Sequence, residues 1–389
     1  MPFTGKATYD AGATLPEIAE DVADIIGILA AHETPLLDHL GDPRRAARST
    51  IHEWLEEPFA PQFDFIDQTT FIPSPLATTS VVVEFGDRIR VGDQLRVDDT
   101  GEHLLVAAIN NKTLTVQRAH GGGANTTLAN DQKLTIIGNA SLEGADPATT
   151  DAASNRRRRL NYTQIFSAAV QVSGSQLAVD TIGVRDELDY QLQERLRELL
   201  RDLEATVING KAQASNAQGS GTVRRTMNGM LSIIQSNRFS PGADGMPDGD
   251  GAANDQLNEP LLNAALRAVW DTGGRPDTIV VGGAQKRRIN AFITPNRAYG
   301  PADDAFRDMV SYYESDFGLC RVLLSRWVPN DKVLLLDSAR AAVLPLAGRS
   351  FQFKRLASTG DSETGQVLGE YTLELMNEAA HGAIDDLAA

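Results

Sequence analysis

The side chains that could do chemistry are few, and their spacings fit no familiar reaction. The six histidines, His32, His39, His52, His103, His120 and His381, include no HExxH pair. "HETPLLDH" brings His32, Glu33, Asp38 and His39 together, but the histidines stand seven positions apart and match no local metal-ligand pattern; surface and capping roles are the plainer reading. His381 in "NEAAHGAI" precedes a glycine and suits a terminal turn. A serine nucleophile would be expected in GxSxG, which neither "AQGSGT" nor "VSGSQL" supplies. "GDSETG" has the glycine spacing of a phosphate loop, yet Gln366 and Val367 stand where lysine and Ser/Thr would be needed. "HGGGANTT" falls between β-rich runs, where a turn is expected. Asp244, Asp248, Asp250 and Asp255 crowd a Gly-rich loop without the glutamate or flanking helix of a calcium loop, so a solvated loop is expected and a weakly held cation is the alternative. Cys320 is the only cysteine, which excludes an internal disulfide; its apolar strand suits a buried filler. No catalytic, metal or cofactor-binding residue emerges.

One run remains. "ASNRRRRLNYTQIF" sets Arg156, Arg157, Arg158 and Arg159 side by side in a chain of formal net charge −16. They could be solvated, pair with acidic surface on a neighbouring copy, or touch DNA. The overall acidity works against DNA and against anionic membranes. Only seven of the 36 basic residues are lysines, and arginine's planar donors suit fixed carboxylate pairs. Inter-subunit contact through Arg156–Arg159 is the expectation.

The elements that must carry these residues are mixed. At 389 residues two or three domains are expected, and 42% hydrophobic with 23% charged residues is ordinary for a globular protein. No apolar run is long enough to span a bilayer, and the N-terminus shows no secretory pattern. Residues 15–31 put Ile18, Val22, Ile25, Ile26 and Leu29 on one helical stripe, an arm that would dock elsewhere. Residues 79–139 hold five short β-rich runs parted by Gly, Asn and Asp turns, a small barrel or sandwich, with "NNK" as a hairpin loop. A long helix is expected near 185–209, where Leu188, Leu192, Leu196, Leu199, Leu203 and Val207 recur at three and four and Gly210 ends the run. "NEPLLNAALRAVWDTGG" and "AQKRRINAFI" are further helices; "DTIVVGG", "GLCRVLLSRW", "DKVLLLD", "AAVLPL", "SFQFKRL" and "GEYTLELMNE" are strands. The class is α+β with an all-β insertion.

In this order the segments "HETPLLDHLG", "STIHEW", "GNASLEGAD", "NYTQIF", "RRTMNGMLSII", "VSYYESDFG" and the tail "LPLAGRSFQFKRLASTGDSETGQVLGEYTLELMNEAAHG" resemble the major capsid protein of tailed bacteriophages, with the Hong Kong 97-type fold. The resemblance implies an N-terminal arm at 1–48 and an extended loop at 49–170 enlarged by the β-module at 79–139. It implies a peripheral domain at 171–225 and 346–389 around the spine helix, and an axial domain at 226–345. It implies hexamers and pentamers in an icosahedral head around double-stranded DNA, without sequence-specific binding. A separate scaffold protein, a portal and minor or decoration proteins are the implied partners, with assembly in the host cytoplasm and residence in the virion. No room is seen for a removed scaffolding segment before the arm, and non-covalent cohesion is expected. The alternatives are a nanocompartment shell of the same fold or a binding module on a phage particle.

Overall fold

The structure, a computed structural model, describes residues 34–41, 43, 45–57, 62–86, 88–144, 156–178, 187–243, 245–293, 312–357 and 360–388. The helix expected at 15–31, the first two residues expected for the long helix, and Asp244 lie outside them. The chain divides into two compact units: Met1–Glu56 with Arg158–Ala389, and Glu57–Arg157.

The first unit is built around the strand Ser362–Leu375, whose side chains alternate between two faces. Val367, Leu373 and Leu375 on one face pack against Leu199, Leu203 and Val207 of the helix Glu187–Asn209. That helix has 23 residues, which at about 1.5 Å per residue makes it roughly 34 Å long. Its leucine stripe supplies the contact, and each fully buried side chain stabilises by about 1.5–3 kcal/mol. Gln164–Ser173 pairs antiparallel along one edge of the strand, from Ser173 opposite Ser362 to Gln164 opposite Tyr371. The other edge is shared by Gln352–Arg355 and Ala341–Pro345, both antiparallel. Gly365 and Gly369 are needed here, because a Cβ at either would overlap the ring of Phe353 or Phe351.

The same unit holds a six-stranded mixed sheet in the order Arg238–Phe239, Gly382–Ile384, Val333–Leu336, Thr278–Val281, Gly318–Leu324, Tyr312–Ser315. "TIVV" and "VLLL" are buried at every position because both faces are covered. Ile279, Val281, Val333 and Leu335 face the helix Glu259–Asp271, while Val280, Leu334 and Leu336 face the core under the long helix. Glu259–Asp271 begins where its sequence says it should: the Asn258 side chain accepts from Leu261 N–H at 2.9 Å, and Pro260 occupies the first turn.

The second unit, Glu57–Arg157, carries the five strands expected within 79–139: Ser80–Val82, Asp93–Val97, His103–Asn110, Thr113–Gln117 and Lys133–Asn139. A sixth, Phe63–Phe65, precedes them. The two end strands of this sheet meet through the bridge Ile66–Val83 and the bonds Asp67 N–H to Val82 O and Glu84 N–H to Phe65 O, both 2.9 Å. The sheet is therefore closed into a barrel around Ile66, Val81, Leu95, Leu104, Leu114 and Leu134. Asn111 in the "NNK" hairpin has φ of 51°, the left-handed conformation that asparagine tolerates.

Candidate functional site

Arg157, Arg158 and Arg159 begin the strand Arg157–Tyr162, with Arg156 just before it, and this strand pairs with Ile51–Glu56. Pairing places carboxylates of one strand beside guanidinium groups of the other, and the four arginines separate into two kinds. Arg158 meets Glu53 at 2.5 Å, with both side chains touching solvent, so the pair is worth well under about 1 kcal/mol. Arg159 lies 3.3 Å from Glu56 and 3.5 Å from Glu378. Glu56 also accepts from Trp54 Nε1 and Asn377 N–H, both at 2.7 Å. Glu378 accepts from the Ser236 hydroxyl at 2.6 Å and Gln235 N–H at 3.1 Å. Arg159 is thus one member of a network on its own chain. Arg156 and Arg157 are exposed, and among the described residues neither has a carboxylate partner.

Beneath the paired strands lies a floor of buried acids. Glu370 and Glu374 share the face of Ser362–Leu375 opposite the leucines, and both are almost completely buried. Thr163 Oγ1 donates to Glu370 Oε1 at 2.6 Å, Arg225 reaches the same oxygen at 2.5 Å, and Arg349 lies 2.9 Å from Oε2. Glu374 is paired with Arg45, and its Oε2 is 2.5 Å from His52 Nε2. Burial alone would raise the Glu374 carboxyl, but His52 and Arg45 outweigh it and hold it below its ordinary value. Asn161 completes the floor: its amide donates to Asn228 O at 2.9 Å and Leu373 O at 2.8 Å, and its oxygen accepts from Asn228 N–H at 2.9 Å. Removing one member of such a set would leave a buried charge unmatched.

The other candidates come apart. His39 sits between Thr278 and Arg321, at 2.9 and 3.1 Å. His381 is fully buried, accepts Asp337 N–H at Nδ1 (3.2 Å), and burial pushes it down to about 4. Burial likewise lifts the Cys320 thiol to about 11, which makes it unreactive. Asp250 and the Asp248 carbonyl accept from Asn258 within a turn. "GDSETG" runs into the strand Ser362–Leu375, and Gly121 and Gly122 of "HGGGANTT" are turn residues with positive φ. No group of three or more metal-ligating side chains occurs among the described residues, and none of their helices is long and apolar enough to cross a membrane.

Two further buried acids, like Glu370 and Glu374, were not singled out by spacing. Glu102 is buried in the barrel, where Arg118 meets both its oxygens at 2.7 Å and Thr126 and Ala119 N–H groups donate to it at 2.8 and 3.1 Å. Burial pushes this carboxyl up, yet Arg118 and the other donors outweigh it and hold it at about 2. Glu204 flanks the leucine stripe of the long helix and is fully buried; burial pushes it up to about 7. Nothing local distinguishes either from a solvated glutamate, since their partners are far away in sequence.

The arrangement has the chemistry of cohesion: buried acids that hold loops, and a basic edge left outward. Among solved structures, the chain is similar to the capsid asymmetric unit of Cyanophage A-1(L), at 14% identity over 92% of this chain and 93% of that one, with a TM-score of 0.46. It is also similar to a chain of Mycobacterium phage Adephagia, at 11% identity over 100% and 95%, TM-score 0.44. A third is the holo-SrpI encapsulin complex of Synechococcus elongatus, at 16% identity over 60% and 77%, TM-score 0.42. No curated protein matches it. The family model of the SU10 major capsid protein matches residues 3–388, nearly the whole length, and the chain therefore belongs to the SU10 major capsid protein family.

Proposed function

We propose that this chain is the repeating subunit of an icosahedral phage head, arranged as hexamers and pentamers around double-stranded DNA. The observation that carries the reading is the family match over residues 3–388; it also favours a phage head over a nanocompartment shell. In the Hong Kong 97-type arrangement, the long helix Glu187–Asn209 is the spine and the strand Ser362–Leu375 the sheet beneath it. The six-stranded sheet belongs to the axial domain, and the barrel is the enlargement of the extended loop. A subunit of net charge −16 would not cling to packaged DNA, which must leave on ejection. A separate scaffold protein, a portal and minor or decoration proteins complete the head, which is assembled in the host cytoplasm.

Within that shell, Arg156 and Arg157 bind carboxylates on a neighbouring copy. Their exposure and lack of a partner among the described residues support this, and Arg158 and Arg159 hold the strand that presents them. The test is sedimentation of assembled protein across a salt series, with wild type beside the double variant Arg156→Ala/Arg157→Ala. Wild type should sediment as a particle of many copies. The double variant should fold normally but dissociate at lower salt, because two charge pairs per contact are lost. Identical salt profiles would remove the contact role, and a wild type confined to a small oligomer with its scaffold present would contradict the shell.

A further inference from the structure

The short helix Pro35–Leu40 lies at the root of the segment read as an N-terminal arm. Thr34 gives it no side-chain cap. Its first backbone donors are met instead by a residue 168 positions away: Leu36 and Leu37 N–H donate to Glu204 Oε2 at 3.2 and 3.3 Å. The Ser325 hydroxyl, just past the strand Gly318–Leu324, donates to Glu204 Oε1 at 2.9 Å. One carboxyl group therefore joins the long helix, the end of a central strand and the arm root. Glu204 is fully buried, and among the described residues no cation pairs with it. Asp38 adds a second carboxylate nearby.

Three donors favour an ionised carboxylate in this place, but no cation stands beside it among the described residues and Asp38 is a like charge, so ionisation in a fully buried site remains costly. The neutral acid keeps every contact. Its carbonyl oxygen accepts from Leu36 and Leu37, and its hydroxyl donates to the Ser325 oxygen, which Trp327 N–H already approaches at 3.4 Å. We propose that Glu204 is a protonation-dependent latch that fixes the root of the N-terminal arm to the long helix and the six-stranded sheet. Burial, which pushes the carboxyl up to about 7, agrees with the geometry.

The sign follows from linkage. A carboxyl raised in the folded state contributes most below its unfolded value, 4.5, and loses that contribution as pH rises through about 7. The latch tightens on mild acidification. Of the charged groups on the packed elements, Asp38 on the short helix acts on it; His39 on the same helix turns to Thr278 and Arg321, with Asp277 near, and Arg326, next to Ser325, is exposed. His39 acts in the opposite sense. Arg321 can only donate, so the Nδ1 it meets must be an acceptor, and Nε2–H donates to Thr278. Burial and Arg321 lower this histidine, so its contribution is present above its unfolded value, 6.5, and is lost as pH falls below that, when a protonated ring would confront the guanidinium.

The inference rests on reading residues 1–48 as an arm, but its test uses the unassembled full-length chain, so failure of the latch and failure to build shells are separate results. Hydrogen-exchange protection of the Leu36–Leu40 amides is measured at pH 8 and pH 6, corrected for intrinsic exchange. Relative to Glu204→Gln, which keeps the opposing His39 contribution, wild type should gain about tenfold in protection at the lower pH, the change a carboxyl moved from 4.5 to about 7 gives over that interval. Glu204→Gln, whose amide can accept from the two N–H groups and donate to Ser325, should be protected at both pH values and show no gain on acidification. Ser325→Ala, which removes a donor to the ionised form, should move the midpoint of the wild-type profile upward in pH. A wild type that gains nothing over Glu204→Gln, a gain on acidification that survives in Glu204→Gln, or an unmoved midpoint in Ser325→Ala would each overturn the latch.

Discussion

At the scale of residues, this chain uses its buried acids as fasteners and its glycines as clearance. Gly369 shows the second use: Phe351 lies across its backbone and meets Tyr371 at a tilt, with ring centroids 4.8 Å apart. Gly369→Ala should push the Phe351 ring off the sheet and destabilise the first unit by about 1–3 kcal/mol, read from chemical denaturation. A neutral substitution would show that the ring is loosely placed. Glu102 shows the first use. Its carboxyl, lowered to about 2 against 4.5 in the unfolded chain, gives stability that is present above pH 4.5 and lost as pH falls through about 2. The loss should reach about 3 kcal/mol for the barrel by the end of that window, and Glu102→Gln should remove most of this acid dependence. An unchanged acid profile in the variant would assign the transition to other carboxyls.

At the scale of elements, what the sequence made legible depended on whether the forces were local. The helix Glu259–Asp271 could be placed because Asn258, Pro260 and Gly273 mark its ends and its leucines mark one face. The five strands of 79–139 could be placed because positive-φ turn residues such as Asn111 and Gly101 separate them. The closure of the barrel could not, since it depends on Phe63–Ile66 meeting Ser80–Val83, and a three-residue strand carries too little pattern to announce itself. The strand Ser362–Leu375 was foreseen only in its second half, from Gly369 on, because "GDSETG" reads as a loop until the Phe353 ring over Gly365 is seen. Arg158 and Arg159 could not be told from Arg156 and Arg157 by type; the pairing with Ile51–Glu56 separates them. A closed barrel with its own core should fold by itself. Residues 57–157 expressed alone should unfold in one cooperative transition, and a fragment without a transition would show that the barrel leans on the rest of the chain.

At the scale of the whole molecule, the contacts divide into those that fasten the subunit internally and those left to its surface. The buried acids Glu370 and Glu374 tie distant segments to one strand, and Arg156 and Arg157 point outward with no partner in view among the described residues. A subunit of a shell needs both: internal fastening so that its loops hold their shape, and exposed charge that pairs only when copies meet. Membership of the SU10 major capsid protein family gives that design its purpose. The most direct measurement is electron microscopy of the assembled protein. Closed shells of uniform diameter, with capsomers on five-fold and six-fold axes, are the predicted result. Small discrete oligomers, or open sheets that never close, would contradict it.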